Sequence, residues 1–247
     1  ESQKIQLHLS RINALGTKEQ PIIFKSDSEL SSPYDVNVLS IRHGILIFGN
    51  LSSYRRLEIG KDVTLMNSTF SEVGECGVCI NSGSPTVSNN EFKSALRENI
   101  WVKGASPRIS DNIFLNSNGA GIRIDPKRVG SPVITHNDFE MPENDAVDIL
   151  SGAEFSGGVV SFNKFSGSSY IKIPCDSKIK FSQNTILSLI FFNNIGCGGS
   201  FTFESNYWGV NDLKAIYMEK ILNKDINFKI NIPYILNSPP KDVGTRG

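Results

Sequence analysis

Six short segments of this chain of 247 residues alternate between apolar and more polar side chains, and the polar positions carry the side chains that could do chemistry. Aligned on their alternation, the segments form two columns of outward-facing residues. The first column contains Cys79, Trp101, Arg123, Asp148, Lys172 and Phe191, and the second contains Asn81, Lys103, Asp125, Leu150, Pro174 and Asn193. If the segments are strands stacked about 4.8 Å apart, the first column is about 24 Å long, which suits several sugar units.

The types of side chain in these columns favour a glycan as the ligand. An exposed Trp101 offers a flat ring to a sugar, and neighbouring Arg, Lys and Asp side chains bind hydroxyl or carboxylate groups. The predicted ligand-binding residues are Trp101, Lys103, Arg123, Asp125, Asp148 and Lys172. An alternative stays open, because opposite charges on neighbouring strands would also stabilise an ordinary solvated sheet.

The same residues define an enzymatic alternative. β-Elimination of a uronate needs a base and a cation that binds the carboxylate, often calcium. The candidate bases are Arg123, Lys127 and Arg128, and the candidate calcium ligands are Asp125, Glu143, Asp145 and Asp148. Hydrolysis would instead need a carboxylate pair, for which Asp125 and Asp148 are the candidates. Outside this alternative we expect no cofactor and no metal.

A repeated motif must position these segments: Ser-Pro, then β-forming residues, then Asn, any residue and Phe. Clear copies run from Ser84 to Phe92, from Ser106 to Phe114 and from Ser131 to Phe139, and three weaker copies follow. The motif Asn residues are Asn90, Asn112, Asn137, Asn163, Asn184 and Asn206, at spacings of 22, 25, 26, 21 and 22 residues. A sequence period of about 20 to 50 residues indicates a solenoid, whose units bury their apolar faces against their neighbours.

Each repeat is too short for a strand–helix–strand crossover, so two or three short strands must form one turn of a parallel β-helix. The motif copies and the closing Asn206-Tyr207-Trp208-Gly209 resemble the right-handed parallel β-helix repeat proteins, the fold of pectate lyases and many surface proteins. The resemblance covers roughly residues 40 to 209 and implies an all-β solenoid of about eight coils. It is specific for the fold and weak for function, because this scaffold carries many activities.

The repeated Asn and Phe residues are predicted to be structural. Asn tolerates the left-handed turn conformation, and its amide can bond to the copies above and below. The Phe two positions later would form an aromatic stack inside the solenoid.

The chain is predicted to form a single β-helix domain with capped ends. Residues 1–40 would form the N-terminal coils and a loop, 41–209 the regular repeats, 210–236 the C-terminal cap and 237–247 a flexible tail. In the cap, Asn211 or Asp212 can begin a helix that runs to about Asn223. The alternating residues Ile226, Phe228, Ile230 and Ile232 predict a strand after it.

Composition limits the partners. The 25 basic and 25 acidic residues give a net charge of zero, and no basic stripe predicts nucleic-acid binding. No apolar segment is long enough to span a membrane.

Cys175 and Cys197 each lie nine residues before a motif Asn, so they should stack on adjacent coils within reach of a disulfide. Cys76 and Cys79 form a lone Cys-x-x-Cys, for which a disulfide, free thiols and, less favourably, a zinc site stay open. Disulfides would fit a secreted or cell-surface protein.

The family resemblance argues against catalysis. The polygalacturonase-like β-helix enzymes carry Asn-Thr-Asp, Asp-Asp, Gly-His-Gly and Arg-Ile-Lys motifs, and none of the four occurs here. We therefore expect an exported protein that binds a polysaccharide or surface glycan without cleaving it. A polysaccharide lyase or glycoside hydrolase on the same face is one alternative. The second alternative is a structural or adhesive module that binds another protein and belongs to a larger surface protein with other domains.

Overall fold

The computed structural model describes residues 6–17, 19–20, 22–25, 38–47, 49–52, 55–125, 130–142, 144–150, 157–167, 169–174, 177–192, 199–222 and 228–246. These residues form an all-β parallel solenoid, as the repeat predicts. The solenoid has about six turns, slightly fewer than the eight coils expected. None of the described helices is long and apolar enough to cross a membrane.

Three rows of parallel strands surround the core. The first face contains β7 (Cys76–Ile80), β10 (Glu98–Lys103), β13 (Ile122–Asp125), β16 (Val147–Ile149), β19 (Tyr170–Ile173), β22 (Leu189–Phe192) and β24 (Ile221–Leu222). The second face contains β8 (Thr86–Ser88), β11 (Arg108–Ser110), β14 (Val133–Thr135), β17 (Val159–Ser161), β20 (Lys180–Ser182), β23 (Gly199–Glu204) and β25 (Phe228–Asn231). The third face contains β2 (Ile22–Lys25), β4 (Gly49–Ser52), β6 (Thr69–Ser71), β9 (Glu91–Phe92), β12 (Ile113–Phe114), β15 (Asp138–Glu140), β18 (Lys164–Ser166) and β21 (Thr185–Ile186).

Long strands begin the solenoid. They are β1 (Gln6–Leu15), β3 (Val38–Ile47) and β5 (Arg56–Met66). Strand β5 pairs with β7 through its first part and with β8 through its last part. The first and second faces therefore begin as one continuous sheet and separate after β5.

The motif Asn residues form a buried hydrogen-bonded ladder. The amide nitrogen of Asn112 donates to Oδ1 of Asn137 at 3.0 Å, and that of Asn137 donates to Oδ1 of Asn163 at 2.9 Å. Each Oδ1 also accepts the backbone N–H of the preceding ladder Asn, as between Asn137 and Asn112 at 3.0 Å. Because buried amides are costly unless they are paired, this ladder fixes the register of the turns. The predicted bonding between copies is confirmed.

The expected backbone conformation of these Asn residues is wrong. The left-handed residue in each turn is the one before the ladder Asn, with φ of 59° at Asp111, 58° at His136 and 58° at Phe162. The corner is therefore made by residues of varied type, and the Asn side chain is freed to point inward. We call this row of left-handed residues the corner row; it comprises Asn67, Asn89, Asp111, His136, Phe162, Gln183 and Ser205.

The predicted aromatic stack is confirmed. Phe70, Phe92, Phe114, Phe139 and Phe165 lie with neighbouring ring centroids 4.7 to 5.0 Å apart and rings nearly parallel. All five are buried inside the third face. Stacked rings at the spacing of the strands fill the core of every turn without changing its shape.

A short helix and strands follow the repeats, as predicted for the cap. Helix α1 (Leu213–Ala215) begins at Asp212, whose carboxylate accepts the N–H groups of Lys214 and Ala215. It continues as a π-helical turn (Ile216–Lys220) and ends before β24, so it is shorter than the expected helix to Asn223. Ile216 and Ile221 are buried against the core, whereas Leu213 is 45% exposed.

The last described residues run back along the solenoid beside the corner row. The N–H of Leu236 donates to Asn206, the N–H of Gly244 donates to Phe162, and the backbone and hydroxyl of Thr245 donate to the Asp138 carboxylate. Arg246 then binds Asp111. We call residues 236–246 the C-terminal strap. The predicted flexibility of 237–247 stays a prediction.

Two of the four cysteines are described. Cys76 and Cys79 form a disulfide, with their Cα atoms 5.8 Å apart, and both are buried. The strand register shifts at this point, since Arg56 pairs with Cys76 but Leu57 pairs with Val78. Cys175 and Cys197 lie outside the described residues, so their predicted disulfide stays a prediction.

Candidate ligand-binding face

The first face aligns the first column in the expected register. Trp101 lies opposite Arg123, Arg123 opposite Asp148, and Asp148 opposite Lys172. Lys172 then pairs with Phe191, and Phe191 with Leu222. The column thus runs from one aromatic ring through three charged side chains to another ring. At about 4.8 Å a step, the four steps from Trp101 to Phe191 span about 19 Å.

Trp101 is half-buried and already covered by cations. Lys103 Nζ lies 3.7 Å from the centre of the indole ring, and the Arg123 guanidinium carbon lies 5.5 Å from it. Both distances allow cation–π attraction. The ring is therefore a less open platform for a sugar than the sequence suggests.

Two cations of the column are paired with acids from the preceding turn. Arg123 donates to Glu98 at 3.0 Å, and Lys172 lies 2.8 Å from Asp145. Glu98 and Asp145 occupy equivalent positions, each three residues before a column residue, at the corner where the chain enters the first face. The same acid-to-cation contact therefore occurs twice along the face.

Asp125 and Asp148 are less accessible than outward residues of an open sheet would be. Their exposed fractions are 7% and 9%. Asp125 lies opposite Lys103, as expected, and diagonal to Asp148. Pro174 of the second column is buried, and Asn193 lies outside the described residues. Within the described residues, the second column consequently offers little continuous surface, because Asp125 and Pro174 are both buried.

A recess of about 570 Å³ opens beside the Lys172 end of the column. Tyr170, Phe191 and Leu222 supply its apolar wall, and Lys172 and Asp145 supply an ion pair. Asn118, Gly119 and Asn144 complete the described lining. Its volume falls within the range of about 300–1,000 Å³ that is usual for ligand sites. An apolar wall thus faces charged and amide groups across the described lining. We call it the Tyr170 recess.

Only part of this recess is predicted by the sequence. Lys172 and Phe191 belong to the predicted column, and Asp145 appeared only as a candidate calcium ligand. Asn118 and Asn144 lie in corners between the third and first faces, where the repeat length varies and the alternation gives no register. Tyr170 lies two residues before Lys172 on the same strand, so the alternation places it on the same side as Lys172, a signal that was available.

The other candidates for catalysis are not brought together by the described residues. Lys127, Arg128 and Glu143 lie outside the described ranges. Within those ranges, no three His, Cys, Asp or Glu side chains are grouped as metal ligands would be.

A separate ionic cluster lies beyond the Trp101 end of the column. Arg56 donates to Glu58 at 2.8 Å and to Glu75 at 2.9 Å. Burial opposes ionisation of Glu75, but the hydrogen bonds from Arg56 and Arg55 hold its pKa below its usual value.

Comparison with known families agrees with the structure. Residues 41–155 match the family model described as a right handed beta helix region. Together with the parallel solenoid, this match bears out the expected resemblance to the right-handed parallel β-helix repeat proteins. No match was found among curated proteins or among solved structures.

Proposed function

We propose that this chain is an exported or cell-surface β-helix protein that binds a polysaccharide along its first face without cleaving it. The Tyr170 recess carries the proposal. It joins a half-buried aromatic wall to an ion pair on the same outward surface as the column. Glycan sites combine flat apolar surfaces, which pack on the C–H face of a sugar, with polar groups that bind its hydroxyls.

The first column defines the path that the glycan would follow along the first face. Lys172 and Phe191, which line the recess, are also its last two residues, and the column leads back through Arg123 to Trp101. A bound chain would place one sugar in the recess and extend over the neighbouring turns. An extended polymer suits a flat strand array, because each turn adds about 4.8 Å of contact surface.

Affinity electrophoresis through gels that contain single polysaccharides tests the proposal. Retarded migration in at least one gel is expected, and Phe191→Ala should weaken that retardation at least tenfold, or about 1.4 kcal/mol. Tyr234→Ala removes a 67% exposed aromatic ring from the C-terminal end and is the matched control. Equal losses in the two variants, or no retardation in any gel, would overturn the proposal. Size-exclusion chromatography after overnight incubation with calcium should show chains of unchanged length.

A further inference from the structure

The charges of the first face are balanced internally. The Arg123 guanidinium is bound by Glu98, and the Lys172 ammonium is bound by Asp145. Lys103 lies over Trp101 and opposite Asp125. Each described cation of the face therefore has a partner within the protein, and an anionic ligand would have to compete with a carboxylate that is already in place.

The described strands from Trp101 to Lys172 carry no net positive charge that would attract an acidic polymer. Their described carboxylates, with Asp145 at the corner, are Glu98, Asp125, Asp145 and Asp148, and their described cations are Lys103, Arg123 and Lys172. The formal charge of these described groups is thus minus one. Long-range attraction of a polyanion needs a patch of the opposite sign, so this face repels a polyuronate weakly rather than collecting it.

The groups that stay available in the Tyr170 recess are neutral. Within the described part of the chain, the hydroxyl of Tyr170 and the side-chain amide of Asn118 have no hydrogen-bond partner. Both lie beside the aromatic ring of Phe191 and the side chain of Leu222. Hydroxyl and amide groups exchange hydrogen bonds with sugar hydroxyls, and a closed ion pair can also bind hydroxyls without a change in net charge.

We infer that the ligand of this face is a neutral polysaccharide, and that the Lys172–Asp145 pair excludes uronates from the recess. This inference rests on the proposed function and specifies its substrate class. The carboxylate of Asp145 occupies the position at Lys172 that a uronate carboxylate would take. A neutral sugar leaves the pair intact and packs its C–H face against Phe191.

A panel of galactan, xylan, glucomannan and β-glucan, set against polygalacturonate and alginate, tests the inference by affinity electrophoresis. Binding of at least one neutral polymer, at least tenfold tighter than either acidic polymer, is the expected result. Tighter binding of an acidic polymer would overturn the inference while the proposed function stands. Binding of none of the six would overturn both.

A charge variant tests the mechanism of exclusion. Asp145→Asn releases Lys172, so retardation by polygalacturonate should rise at least threefold at low salt and the gain should disappear at high salt. Glu91→Gln is the matched control, because it makes the same change in net charge and releases Lys93 on the third face. An equal gain in both variants, or no gain in Asp145→Asn, would overturn exclusion by the ion pair. Thermal unfolding of both variants would show that each is folded.

Discussion

Arg246 binds the carboxylate of Asp111 through Nε at 2.8 Å and through Nη2 at 2.7 Å, although the two residues are 135 positions apart. Neighbouring turns are joined by contacts between residues roughly 22 positions apart, such as Asn90 and Asn112. The strap therefore joins the end of the described chain to a turn in the middle of the solenoid. It is the longest-range ionic contact in the described structure.

Loss of this contact should lower the thermal stability of the protein. Arg246→Ala removes a two-pronged ion pair whose acid is nearly buried and whose cation is half exposed. Charge-assisted pairs of this geometry contribute about 1 kcal/mol, which corresponds to about 2–4 °C in Tm for a domain of this size. Lys241→Ala, at an exposed position of the same strap, is the control. Equal Tm values for the two variants would mean that the strap contributes nothing.

The strap also makes stability depend on pH through His136. Burial lowers the pKa of His136, and the nearby positive charge of Arg246 lowers it further. A lowered folded-state pKa means that the stabilisation is complete above the unfolded value of about 6.5 and is lost as the pH falls through the folded pKa. His136→Asn, which suits the left-handed corner, should flatten the decline in unfolding free energy between about pH 7 and pH 5. Urea unfolding at three pH values measures this slope, and an unchanged slope would contradict the assignment.

Asp111 should add a second decline in the unfolding free energy, at lower pH than the decline caused by His136. Burial alone would raise its pKa, but the hydrogen bonds from Arg246 outweigh burial and place the pKa below its usual value. Its contribution is therefore present above about pH 4 and is lost as the pH falls through the lower folded value. In Asp111→Asn this step should be absent while the His136 step persists, which urea unfolding extended to pH values below about 4 would detect.

The Trp101 end of the first face should matter only for long ligands. Trp101 lies about 19 Å from Phe191, so a disaccharide in the Tyr170 recess does not reach it. Trp101→Ala should weaken binding of long oligosaccharides at least tenfold, or about 1.4 kcal/mol, and leave disaccharide binding unchanged. Calorimetric titration with a length series measures both. A length-independent effect of Trp101→Ala would mean that the glycan does not follow the column.

The Asn ladder should be intolerant of truncation. Asn137 donates to three acceptors, on Ile109, Thr135 and Asn163, and its Oδ1 accepts from Asn112. Asn137→Ala leaves several of these buried groups without partners, at about 1–3 kcal/mol each. We expect a loss of at least 3 kcal/mol in the unfolding free energy. Asn118→Ala, at an exposed corner position, should change it by less than about 0.5 kcal/mol. Similar losses for the two would contradict a ladder that sets the register.

The architecture could be predicted because one period governs three independent features. The Asn ladder, the Phe stack and the outward column all repeat together, so aligning any one of them aligns Trp101 with Arg123 and Lys172. The corners could not be predicted in the same way. Asp111, His136 and Phe162 share a left-handed conformation but no residue type, and the corners that carry Asn118 and Asn144 differ in length from turn to turn. Arg246 belongs to no pattern, so its contact with Asp111 depends on tertiary structure alone.

The acid-to-cation contacts of Glu98 with Arg123 and of Asp145 with Lys172 lie two turns apart, with Asp148 between the two cations. This places equivalent charged groups about 9.6 Å apart along the face. In some polysaccharides each sugar is rotated by half a turn relative to the one before it, so that the repeating unit is a disaccharide. The length of that repeat is comparable to the spacing of the charged groups. The spacing of the charged groups would thus match the disaccharide repeat of such a polymer, and successive pairs of sugars would contact equivalent protein groups.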